Sequence, residues 1–109
     1  MDGEGVDPKS LNIVGSTQPE FYDGIVQEMR EQLRTDPSAF WTTTLGEDGP
    51  IEIWEINGKR YLYNGNHRWR AAVEENVAIP AENIRIVDKT GSQIPTWPLH
   101  QMHRLPGKP

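Results

Sequence analysis

The sequence predicts an α+β fold, a small mixed sheet with a β-hairpin and two or more helices. Three observations predict it. Ile51-Glu52-Ile53-Trp54-Glu55-Ile56 and Lys59–Tyr63 flank Asn57-Gly58, the pattern of a hairpin closed by a type I′ turn. Tyr22, Ile25, Val26, Met29 and Leu33 fall on one stripe at helical spacing. A second helical run opens directly after the hairpin, at Asn66.

In chain order, residues 1–10 read as a flexible tail, and the acidic start Met1-Asp2-Gly3-Glu4-Gly5 reads as the excision point of a larger protein. Leu11-Asn12-Ile13-Val14 reads as a short strand closed by Gly15, and Ser16-Thr17-Gln18-Pro19 as a turn. Residues 22–34 form the first helix, with Glu28, Arg30, Glu31 and Arg34 on its wet face and Asp36-Pro37 at its end. Phe40-Trp41-Thr42-Thr43-Thr44 reads as a buried loop or short strand, and Glu47-Asp48-Gly49-Pro50 as a turn. After the hairpin, helix 66–77 buries Trp69, Ala72, Val73 and Val77. Asn83–Asp88 reads as a strand parallel to an earlier one through the helical crossover. Residues 89–109 hold four Pro and little periodicity; they either wrap the surface, anchored by Trp97, Leu99 and Leu105, or are partly disordered. The domain proper therefore spans residues 11–88, with an extension at 89–109.

Composition narrows the function. A chain of 109 residues makes one small domain. Mean hydropathy is −0.70, so the core is modest, and four Trp and three Tyr supply much of its apolar area. Three of the four Trp are expected in the core; one of Trp41, Trp54 and Trp97 is left free to stack a base. The net charge of −5 argues against a general nucleic-acid coat protein but allows a local basic site, since Lys59, Arg60, Arg68 and Arg70 are near neighbours. With no Cys, disulfides, thiolate zinc sites and cysteine nucleophiles are excluded. No apolar run approaches the ~20 residues of a membrane-spanning helix.

The richest stretch is Asn64-Gly65-Asn66-His67-Arg68-Trp69-Arg70-Ala71-Ala72, at the junction of strand and helix. The first N–H groups of a helix have no partner within it, and its dipole favours an anion there. Gly65 permits a sharp turn and close approach of a ligand. Arg68 offers a planar fork matched to phosphate oxygens, and His67 can donate a hydrogen bond or move a proton.

Gly65-Asn66-His67-Arg68, followed by a small-residue helix start, resembles the signature of the ParB/sulfiredoxin superfamily, over about Leu11 to Asp88. The resemblance implies a ParB/sulfiredoxin-like fold whose turn holds the phosphates of a nucleotide or nucleic acid. It implies phosphate binding by Gly65, Asn66, His67, Arg68 and Gln18, and catalysis by His67 and Arg68, with Asn64 and Glu20 as further candidates. Asn66 stands where sulfiredoxins carry Cys, which removes sulfinic-acid repair. Asn64 stands where many relatives carry Asp or Glu, and an amide is neither a base nor a strong metal ligand. The metal therefore stays open: magnesium, manganese or none. His103 and Arg104 reach the site if the tail folds across it; His100 and His103 alone make a poor metal site.

Three functions follow as expectations. The first is a phosphodiester-cleaving, nuclease-type module of a bacterial toxin, delivered into a target cell and held by a tight-binding immunity protein. The second is a cytoplasmic nucleotide-binding, NTP-hydrolysing or phosphotransfer switch, which Asn64 favours slightly. The third is a non-catalytic nucleic-acid-binding module.

Overall fold

The structure, a computed structural model, describes residues 5–108. It is α+β. A five-stranded mixed sheet carries three α-helices and is flanked by two two-stranded ribbons.

The hairpin forms as its sequence dictates. Strands β4 (Ile51–Ile56) and β5 (Lys59–Asn64) pair antiparallel. Asn57 and Gly58 both take positive φ, 52° and 80°, as a type I′ turn requires. Strand β2 (Ile13–Ser16) joins β5 in parallel, β7 (Ile84–Asp88) joins β4 in parallel, and β8 (Trp97–Pro98) closes the far edge. The order across the sheet is β7-β4-β5-β2-β8. Ile53 and Leu62, paired across the hairpin, are fully buried, whereas the next pair, Trp54 and Tyr61, is half-buried. The sheet thus has one covered face and one open face.

Helices α1 (Asp23–Thr35), α2 (Pro37–Asp48) and α3 (Asn66–Glu75) build the covered side. Val26 and Leu33 of α1, Phe40 and Trp41 of α2, and Trp69, Ala71 and Ala72 of α3 meet Ile13, Ile51, Ile53 and Leu62 in one core. Ile25 and Met29 of the predicted stripe are only half-buried. Arg30 and Arg34 are not a free wet face: they pair with Glu74 and Glu75 of α3 at 2.6–3.0 Å. The Arg30 guanidinium holds the Glu75 carboxyl below its usual range.

Four expectations need correction. Phe40–Thr44 is neither loop nor strand but the middle of α2. Asp36 caps that helix, its carboxylate accepting from the Ala39 N–H at 3.1 Å, and Pro37 fills the first helical position. The same two residues that end α1 therefore start α2, and their start signal outweighs the β propensity of the Thr run. Glu47 and Asp48 belong to α2, with Gly49 as its C-terminal cap. Leu11 ends a 3₁₀ turn, Pro8–Leu11, rather than opening a strand.

Residues 5–10 are not a tail. Strand β1 (Gly5–Val6) pairs with β6 (Ile79–Pro80), Pro8 is buried, and the Trp69 indole donates to the Pro8 carbonyl at 3.2 Å. Residues 1–4 of the expected tail lie outside the described residues. The 89–109 extension takes the wrapping alternative through residue 108. After β8 it passes through a 3₁₀ turn, Leu99–Gln101, and enters β9 (His103–Leu105), which pairs in parallel with β3 (Glu20–Tyr22). Gly24 N–H then donates to Gly107 O at 2.8 Å, and Lys108 pairs with Glu28.

Candidate functional site

The carboxyl ends of the parallel strands β2 and β5 lie side by side, and α3 starts there. Ligands of open α/β sheets gather at such ends. Gly65 is the N-terminal cap of α3 at φ 88°, and no side chain caps the helix. A β-carbon at Gly65 would sit 2.8 Å from Ile51 Cγ1 and 3.2 Å from Ile51 Cα. Glycine is therefore demanded twice, by conformation and by packing. Trp69 N–H reaches Gly65 O at 2.9 Å, closing the first turn.

Arg68 turns inward. It is 3% exposed, and its Nη1 donates to Gly49 O at 2.7 Å, tying α3 to the α2–β4 connection. Burial lowers its pKa, and Asp48 opposes that shift. Arg68, expected as a phosphate ligand, thus stands here as a brace of the turn. Asn64 is a brace as well. Its amide nitrogen donates to Asp48 O at 3.1 Å and Pro50 O at 3.3 Å. A carboxylate there would face two carbonyls and donate nothing. Asn64→Asp is expected to destabilise the fold by about 1 kcal/mol, the net worth of hydrogen bonds that are exposed or only partly buried, as read by urea denaturation; unchanged stability would mean the two bonds are dispensable.

His67 is half-buried. Its Nε2 accepts the Tyr22 N–H at 2.9 Å, so Nδ1 carries the proton in the neutral ring. The Tyr22 ring lies at 22° to it, 6.5 Å between centroids. Burial, reinforced by Arg70, lowers the His67 pKa. His67 cannot be protonated at Nε2 without losing the Tyr22 bond, which counts against general-base work and leaves Nδ1–H as a donor. The pH consequence follows from linkage. A folded pKa below the unfolded value of about 6.5 means the unfolded chain binds the proton first. Stability from this group is present above pH ~6.5 and declines as pH falls below it. Denaturation midpoints compared between pH 7.5 and 5.5 in wild type and His67→Ala should show the smaller acid loss in the variant; equal losses would rule His67 out as the source.

Asn66, the first residue of α3, is 4% exposed. Its side-chain oxygen accepts from Arg70 Nε at 3.0 Å, and its Nδ2 is buried with no partner among the described residues. Arg70 is the site residue that motif reasoning passed over, although its place in the basic cluster was visible. Its guanidinium lies 3.7 Å from the Phe21 ring centroid, and its Nη2 contacts the Met102 sulfur at 3.0 Å. Among the described residues it makes no ion pair with a carboxylate. Burial, aided by Arg104 and opposed by Glu74, brings its pKa down to about 10. A thioether is a weak acceptor, so Arg70 keeps donor capacity that a phosphate oxygen would use far better.

The β3/β9 ribbon brings the tail to this place. His103 is the register partner of Glu20, and Arg104 that of Phe21. Arg104 lies over the same Phe21 ring as Arg70, at 5.7 Å, while its Nε donates to Asp23 at 2.8 Å. That bond holds the Asp23 carboxyl below its usual range. Glu20, His103 and Gln18 are exposed, and Gln18 N–H donates to Ser16 Oγ at 3.1 Å. Among the described residues, no three His, Cys, Asp or Glu side chains are grouped to hold a metal, and no helix is long and apolar enough to cross a membrane.

No protein-family model matches the chain, and no characterised protein matches it significantly.

Proposed function

We propose that the domain binds the phosphate groups of a nucleotide at the N-terminus of α3, as a ParB/sulfiredoxin-like switch does. The observation that carries this reading is Arg70. Among the described residues it is a half-buried cation without a carboxylate partner, one helical turn from an uncapped helix start and joined to Asn66, whose own N–H₂ lacks an acceptor. An anion at that start receives the free amides of the first turn, the Asn66 amide, the Arg70 fork and, by reorientation, the His67 Nδ1–H. Arg68, Asn64 and Gly65 shape the turn without touching the ligand. Binding, rather than base catalysis, suits a His whose Nε2 is already engaged.

Phosphodiester cleavage is the second reading, favoured by one observation: Glu20 and His103 are exposed register partners of the β3/β9 ribbon. There Glu20 and His103 would exchange the proton. This reading brings with it a nucleic-acid substrate, the toxin setting and an immunity partner.

Calorimetric titration with nucleoside triphosphates, run alongside turnover assays on plasmid, RNA and triphosphates with and without Mg²⁺ or Mn²⁺, separates the two. Saturable binding without turnover supports the switch. Cleavage that His103→Ala abolishes supports the nuclease. Neither binding nor turnover overturns both.

A further inference from the structure

The open face of the sheet carries a layered stack. Tyr63 lies on Trp54 with ring centroids 4.1 Å apart and planes 5° from parallel. Lys89 Nζ sits 4.8 Å from the Trp54 centroid; with Tyr63 filling one side of the indole, the ammonium takes the other. The Trp54 indole N–H donates to Glu52 at 2.7 Å, which fixes the ring. The stack ends at Tyr63. That residue is 44% exposed, and Trp54 takes one face of its ring.

The position of this end matters. Tyr63 precedes Gly65 by two residues, ~7 Å of extended chain from the phosphate-binding turn. β2 ends at Ser16, the register partner of Leu62; Thr17 N–H donates to Leu62 O at 2.9 Å, and Gln18 follows it out of the sheet at the same end as Tyr63. Gln18 is exposed, and its carboxamide makes no hydrogen bond among the described residues. A flat π-face, a neighbouring amide with donor and acceptor both free, and a phosphate site one short step away together match one chemistry. Bases stack on aromatic side chains and are read along their edges by amides.

We infer that the free face of Tyr63 is a nucleobase subsite. The base of a nucleotide extends the Trp54–Tyr63 stack, Gln18 bonds its edge, and its phosphates rest on α3. This assignment relies on the reading of the α3 start as a phosphate site. A free nucleotide and the end of a nucleic-acid strand share the same base-plus-phosphate chemistry.

The test is calorimetry on the full chain with inorganic tripolyphosphate, the four nucleoside triphosphates and a short single-stranded oligonucleotide. Wild type should bind at least one nucleotide or the oligonucleotide roughly 10-fold tighter than tripolyphosphate, the usual size of one base–aromatic stack. Tyr63→Ala should erase that margin and leave tripolyphosphate affinity unchanged; Tyr63→Phe, which keeps the ring, should retain it. The ligand that loses affinity in Tyr63→Ala tells free nucleotide from strand end. If tripolyphosphate binds and no base-bearing ligand binds tighter, the subsite is overturned and the phosphate reading stands. If nothing binds, the phosphate reading falls and the subsite falls with it.

Discussion

Gly65→Ala is expected to destabilise the fold by about 3 kcal/mol, lowering Tm by roughly 15 °C. Two terms add. A side-chain-bearing residue at φ 88° carries left-handed strain of about 1–2 kcal/mol. The new methyl group also meets Ile51 Cγ1 at 2.8 Å, Arg68 Nη2 at 3.1 Å and Ile51 Cα at 3.2 Å. Ile51 is fully buried and its Cα belongs to the central hairpin, so it cannot retreat cheaply, and overpacking of this kind costs about 1–3 kcal/mol. Gly58 provides the internal control. It has a similar φ, 80°, but open space where a β-carbon would lie. Gly58→Ala should therefore show the strain term alone. Thermal denaturation followed by circular dichroism measures both. Equal losses would mean that the contact with Ile51 does not constrain the turn.

Arg70→Ala is expected to weaken nucleotide binding 10- to 100-fold, the range for losing one charge-assisted contact of about 1.5–3 kcal/mol. Arg70→Lys should fall between, because an ammonium keeps the charge and loses the fork. Arg70 also packs on Phe21, so the variants need a matched check of folding by denaturation. Arg70 stays cationic, so its contribution to binding should be flat through neutral pH. An Arg70→Ala variant that folds and binds like wild type would move the phosphate elsewhere.

Much of this architecture is legible in the residues. Asn57-Gly58 between alternating apolar runs specifies the hairpin, since only a turn with two positive φ values joins such strands without splaying them. Gly65 marks the strand-to-helix turn for the same conformational reason. What escapes notice has physical causes. Strands β8 and β9 are two and three residues long, too short to show a period, so the docking of His103 and Arg104 beside Phe21 emerges only from long-range pairing. Helix α2 hides because Thr42-Thr43-Thr44 carries β propensity and its apolar residues form no stripe. Its start lies in Asp36-Pro37, which reads equally well as an end.

The roles of the two arginines invert for a related reason. Arg68 and Arg70 sit two residues apart on one helix and so point to different sides. Arg68 turns inward, to Gly49 O, and Arg70 lies across Phe21 toward the tail. A motif gives residue identities and spacing, but which side of α3 is covered depends on the α2–β4 connection and on the returning tail. Asn64 is likewise explained by the carbonyls of Asp48 and Pro50, groups that no local pattern places beside it.

The central claim is that the start of α3 receives phosphate, and amide NMR during a nucleoside triphosphate titration tests it most directly. The account predicts saturable downfield shifts confined to the backbone amides of Asn66, His67 and Arg68, the Asn66 side-chain amide and Arg70 Nε–H. Amides at those positions that stay fixed while nucleotide rises to millimolar concentration, or shifts centred on another part of the molecule, would contradict it.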